Sequence, residues 1–175
     1  MMKPVNRNIV AIDGPSGVGK GTLAKNLCEK YAFACLDTGS LYRAATLNLL
    51  RENFGFDDLD EAAATRATRI ISDNHKILEL AKDPEIRLGP TTRLVARVSS
   101  IQPLRQVVRQ YQVDFGHYPP NNAKGAVVEG RDIGTVIFPD APVKIFLTAS
   151  IEVKAQRRLK QYKDDGIEAD YDELL

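Results

Sequence analysis

The residues best equipped for chemistry lie in one run near the start of the chain, Asp13-Gly14-Pro15-Ser16-Gly17-Val18-Gly19-Lys20-Gly21-Thr22. Gly14, Gly17 and Gly19 permit a tight turn whose backbone N–H groups converge, which makes a nest for anions. Lys20 adds a compact cation and Thr22 a hydroxyl. Together Gly14, Pro15, Ser16, Gly17, Val18, Gly19, Lys20, Gly21 and Thr22 are candidates to hold the phosphates of a nucleotide. Positioning them requires a strand before the turn and a helix after it. The apolar run Ile9–Ile12 reads as the strand, and Leu23–Lys30 has the apolar spacing of a helix. That helix would aim its free N–H groups and positive dipole end at the same anion. The alternative is a glycine-rich turn with Lys20 on the surface, but it leaves the order of strand, glycines, lysine, hydroxyl and helix unexplained. The run departs from G-x-x-x-x-G-K-[ST] in having Gly21 between the lysine and the hydroxyl.

The remaining elements follow in order. Ala32–Leu36 reads as a second strand, Asp37-Thr38-Gly39-Ser40 as a helix-capping turn, and 41–51 as a helix with Arg43 in its first turn. A cation there opposes the helix dipole. Arg43 is therefore either an exposed arginine or one aimed at a substrate phosphate. Glu61–Ser72 is predicted helical, and Lys76–Leu80 is a candidate short strand. Helices follow over 91–100 and from Pro103, the second bearing Arg105 and Arg109. His117–Asn122 reads as a loop, Ala126–Glu129 as a buried strand, Gly130–Thr135 as a turn at its carboxyl end, and Val143–Leu147 as another strand. Ser150 caps a basic helix with Lys154, Arg157, Arg158 and Lys160. Strands alternating with helices imply an α/β fold with a mostly parallel sheet. Ligands on such sheets bind beyond the carboxyl ends of the strands. The glycine-rich turn, the 37–43 segment and the 130–132 turn would converge there.

The 175 residues suit one domain with a small insert, and 43% hydrophobic residues suffice for a core. A net charge of +1 gives no bulk attraction to nucleic acid or to an anionic membrane. No apolar run is long enough to span a bilayer, and the first residues lack a hydrophobic signal core. A cytoplasmic protein is expected, with Cys28 and Cys35 reduced and buried. His75 and His117 lack spaced ligand partners, so neither is a candidate catalytic or metal-binding histidine.

Three segments resemble bacterial cytidylate kinase, a P-loop nucleoside monophosphate kinase family. They are Gly-Pro-Ser-Gly-Val-Gly-Lys-Gly-Thr at 14–22, Leu-Asp-Thr-Gly-Ser-Leu-Tyr-Arg at 36–43, and the long run from Glu129 through Gly130-Arg131-Asp132 to Leu147. The resemblance covers roughly residues 8–165. It implies ATP-dependent phosphorylation of CMP and dCMP by a monomer, with no nucleic-acid or membrane partner. It implies a kinase core over 1–55 and 101–175, including a partial lid from about 157, and a nucleotide-binding insert over 56–100. Residues 14–22 would hold the ATP phosphates, Arg43 and Arg131 the CMP phosphate with Thr38 nearby, and Arg105 and Asp132 the cytosine. Arg157 would belong to the lid, making Lys20, Arg131 and Arg157 the catalytic cations. Ala96 stands where the family has a serine near the base, and the insert is short, which implies a reduced small sheet. The family's further lid arginines, last core strand and terminal helix lie past the position of Leu175, so they are expected to be missing from these 175 residues.

The chemistry agrees with that assignment on independent grounds. Phosphoryl transfer needs positioning and charge stabilisation, and a phosphate acceptor needs no general base. Magnesium would bridge ATP oxygens, largely through water, with Thr22 nearest. Glu129 or Asp13 either orders a metal-bound water or caps local structure. The rivals are another P-loop kinase such as thymidylate or shikimate kinase, a GTP-binding switch, a mechanical ATPase, and a truncated nucleotide-binding form with little turnover. The switch lacks its Asn-Lys-x-Asp segment, and the ATPase lacks a strand ending in an Asp-Glu pair.

Overall fold

The computed structural model describes residues 7–164. Residues 1–6 and 165–175 of the expected kinase core lie outside them. Four strands, β1 (Ile9–Asp13), β2 (Ala34–Asp37), β3 (Ala126–Gly130) and β4 (Val143–Phe146), form one sheet in the order β2-β3-β1-β4. Every neighbouring pair is parallel, and Asp13 stands beside Gly130 while Asp37 stands beside Glu129. The polar residues at the strand ends are thereby brought level. Alternate side chains feed opposite faces, as the pleat requires. Ile12 and Val127 pack with Ala24 of α1 (Lys20–Tyr31) on one side. Ala11, Leu36 and Val128 join the larger cluster on the other.

That larger face is covered by α2 (Thr38–Arg51) and α6 (Gln102–His117), onto which α3 (Glu61–Ser72), α4 (Asn74–Leu80) and α5 (Gly89–Val98) pack. A basic helix, α7 (Ile151–Asp164), follows β4, and Val153 N–H donates to Ser150 Oγ at its start. Aspartate side chains start α2, α3 and α4. Asp37 accepts from the Gly39 and Ser40 N–H groups, and Asp60 from that of Ala63. Each satisfies donors that a helix start leaves orphaned.

Several expectations are corrected. Lys76–Leu80 lies in α4 rather than a strand. Asp73 caps it by accepting from Lys76 N–H at 3.1 Å, and Ile77 is buried with Leu80 against the same core. Among the described residues no strand lies between 53 and 100, in keeping with a reduced small sheet. Because Asp37 caps α2, the helix begins at Thr38, and Arg43 falls in its second turn, away from the dipole's positive end. The second strand is displaced toward Asp37, because Ala32 ends α1 in a left-handed conformation (φ 54°). Residues 133–137 form a π-helical turn that the spacing did not suggest, and 120–122 a 3₁₀ turn. Cys28 and Cys35 are not reduced, buried thiols. They form a disulfide between α1 and β2, with Cys28 half-buried and Cys35 exposed.

Candidate active site

A cleft of about 1600 Å³ opens beyond the carboxyl ends of the strands. Ser16 through Thr22 line one side, and Gly14, Gly17 and Gly19 have φ of 147°, 78° and 97°. These left-handed values are the conformations the glycines were expected to supply. Gly14 and Pro15 do not line the cleft and contribute backbone instead. A Cβ on Gly14 would fall 2.2 Å from the Leu147 carbonyl oxygen, so the turn is pressed against the chain leaving β4. Lys20 Nζ donates to the Gly14 and Pro15 carbonyls at 2.9 and 2.8 Å. Burial, and then the Arg131 guanidinium, lower its pKa from the usual lysine range.

The two carboxylates left with alternative roles are now distinguished. Asp13 is buried, and its two oxygens accept from the Ile133 and Gly134 N–H groups, both at 2.8 Å. It clasps the turn after β3 and has its own backbone partners. Glu129 is also buried but lines the cleft, with Oε1 3.4 Å from where a Gly21 Cβ would stand. Burial, and secondarily the Asp37 carboxylate, push its pKa up to about 7, while Lys20 and Arg87 pull the other way. Thr38 Oγ1 donates to the Glu129 carbonyl at 2.8 Å, joining the start of α2 to β3.

Thr38, Arg43, Arg105, Arg131, Asp132 and Arg157 all line the same cleft. They come from α2, α6, the turn after β3 and α7, so the fold gathers residues up to 119 positions apart along the sequence (Thr38 to Arg157). Arg43 donates to the Ile86 carbonyl at 3.3 Å and to Thr92 Oγ1 at 3.2 Å, which fixes it against the insert. Arg105 donates to the Ser99 carbonyl at 3.3 Å. Arg157 reaches back to the glycine-rich turn and donates to the Val18 carbonyl at 2.7 Å. Tyr42 lines the same cleft as Arg105 and Asp132. Burial raises its phenol pKa, the Arg105 charge opposes that rise and the Asp132 charge adds to it.

Tyr42, Arg87 and Gln112 also line the cleft and were not singled out from sequence, and Arg109, noted there beside Arg105, lines it too. Arg87 follows the buried Ile86 in a short 3₁₀ turn, and the two α6 residues share a helix face with Arg105 at i+4 and i+7. That helical spacing from Arg105 was the available signal. Ala96 does not line the cleft, whereas Ser99, one turn later, does. Among the described residues there is no cluster of His, Cys, Asp and Glu able to hold a metal ion, and no helix long and apolar enough to cross a membrane.

Known proteins resemble this chain over most of its length. The profile described as cytidylate kinase matches residues 10–175. A cytidylate kinase of Paramagnetospirillum magneticum is 43% identical over 167 residues, 95% of this chain and 75% of the relative. One from Haemophilus ducreyi is 38% identical, covering 98% of this chain and 77% of the relative. One from Mycobacterium leprae is 42% identical, covering 95% and 74%.

Proposed function

The chain belongs to the cytidylate kinase family, and from that premise we propose that it transfers the terminal phosphoryl group of ATP to CMP and dCMP, giving CDP and dCDP. The observation that carries this reading is the meeting of a phosphate loop, several arginines from separate elements, and Asp132 in one cleft. The loop at 14–22 takes the donor phosphates. Arg43 and Arg131 take the acceptor phosphate, with the insert at 56–100 serving as the acceptor-side unit that holds Arg43. The protein works as a cytoplasmic monomer on this reading.

The chemistry follows from charge. Two anions must approach, and the acceptor phosphate is its own nucleophile, so the chain's task is to offset repulsion and align the groups. Lys20 exchanges the Gly14 and Pro15 carbonyls for phosphate oxygens, Arg131 bridges toward the acceptor, and Arg157 covers the loop from α7. Bound magnesium supplies neutralisation of the donor phosphate oxygens. The Thr22 hydroxyl lines the cleft, and the Glu129 carboxylate beside Gly21 suits a coordinating water, whereas the Asp13 oxygens are already engaged.

Arg105 and Asp132 account for the base. An ionised Asp132 only accepts, which suits the cytosine amino group and repels the uracil oxygen at the same position; Arg105 only donates, which suits cytosine N3. Asp132→Asn is expected to lower kcat/KM for CMP and to narrow the CMP:UMP ratio by about tenfold or more, equal to roughly 1.4 kcal/mol. Steady-state kinetics with both acceptors check this. A fall in CMP efficiency at a constant ratio would assign Asp132 to scaffolding.

A further inference from the structure

Gln112 is only 5% exposed, and what remains accessible lines the cleft. Among the described residues its amide has no hydrogen-bond partner in the protein, while on the same helix Gln110 donates to Asp114 Oδ1 at 2.9 Å and Arg105 to the Ser99 carbonyl. An amide carries two donors and an acceptor, and with no partner in the protein these are left to whatever enters the cleft, since Thr68 Oγ1 is the one fully buried side-chain atom without a partner among the described residues. The direction in which this one opens is the substrate cleft.

Its position narrows the partner. Arg105 and Gln112 are seven residues apart on α6, so they share a face about 10 Å apart along the axis. Four residues beyond Gln112, Gly116 is pressed against the Phe138 ring, where a Cβ would lie 2.4 Å from its tip. Gln112 therefore sits on the floor, between Arg105 and the apolar seal that Phe138 makes. A neutral amide is poorly suited to a phosphate, for which the cleft has arginines. It is well suited to a heterocycle edge that offers an acceptor and a donor side by side.

We infer that Gln112 is a specificity-determining contact for the acceptor nucleotide, hydrogen-bonding the polar edge of its pyrimidine from the cleft floor. This rests on the assignment of Arg105 and Asp132 to the acceptor base. Sites built to hydrogen-bond a substrate reject analogues that cannot return the bond.

The test uses the whole 175-residue chain. Gln112→Leu preserves bulk and removes the amide, and Gln112→Glu keeps the shape but makes the group an acceptor only. The expected result for both is a rise in KM for CMP of about tenfold or more, with KM for ATP within twofold and a CMP:UMP ratio of kcat/KM at least threefold narrower. Melting temperature of the ligand-free protein separates packing from recognition, since a residue that merely fills space would lower it while leaving KM for CMP alone. A KM for CMP within twofold of wild type in the Leu variant, or equal rises for CMP and ATP, would overturn the inference. Arg105→Ala measured alongside distinguishes the underlying assignment. If it leaves KM for CMP unchanged, the acceptor base lies elsewhere, whatever Gln112 does.

Discussion

Glu129 shows how a single side chain in this cleft answers to its surroundings. Burial and the neighbouring Asp37 favour its neutral form, and its pKa stands near 7 against an ordinary value of 4.5. A carboxyl that binds its proton more tightly folded than unfolded contributes stability at low pH, and loses that contribution as pH rises from about 4.5 through 7. Thermal melts of the ligand-free protein are expected to fall over this window, and Glu129→Gln is expected to flatten the fall by roughly 2–4 °C. An unchanged slope in the variant would move the titration to another group. At this scale the sequence is legible where chemistry is local. Lys20, Thr22 and the glycines sit in one turn, so their order in the chain is their order in space. Arg131 and Asp132 are legible for the same reason. Arg87 and Gln112 are not, because each becomes a cleft residue only through the packing of the short turn or helix that carries it. Asp13 resists reading too, since its partners are backbone groups more than a hundred residues away.

Among the elements, α1 and β2 carry the largest departure from expectation. Two cysteines seven positions apart, in a chain expected to reside in the cytoplasm, read as free thiols, because nothing in the spacing reveals that α1 turns back over β2. The left-handed Ala32 makes that reversal, and the Phe33 N–H donates to the Cys28 carbonyl at 3.1 Å within it. The disulfide closes a short loop, and such a closure stabilises by roughly 2–3 kcal/mol in the chain-entropy account. Reduction is expected to lower the melting temperature by roughly 5–10 °C, while Cys28→Ser melts at one temperature with or without reductant. Equal melts for the oxidised and reduced wild type would show that the bond adds no stability. The predicted strand at Lys76–Leu80 fails for a different reason. Its apolar residues Ile77, Leu78 and Leu80 suit either element, but a strand needs a neighbour, and the Asp73 cap with Ile77 in the core offers a helix instead.

At the scale of the whole molecule, β4 is the sheet's outer strand among the described residues. It bears Phe146 at 68% exposure, with Val143 also exposed. An apolar sheet edge is a template for association between chains. Phe146→Lys is expected to raise the concentration at which light scattering departs from that of a single chain, with CMP turnover retained. Indifference of the scattering to this change would show the edge to be covered. The parallel class of the sheet was legible from alternating strands and helices, whereas its order was not, since order depends on which helix crosses which face. That order has a further consequence. β1 is flanked by β3 and β4, so Ile9 meets Ala126, and Val10 meets Val143. β1 is made before either strand it pairs with, and the floor under the glycine-rich turn is unfinished until β4 has followed it. Until then the helices between them have local contacts to make, while β1 and the turn after it wait for distant partners.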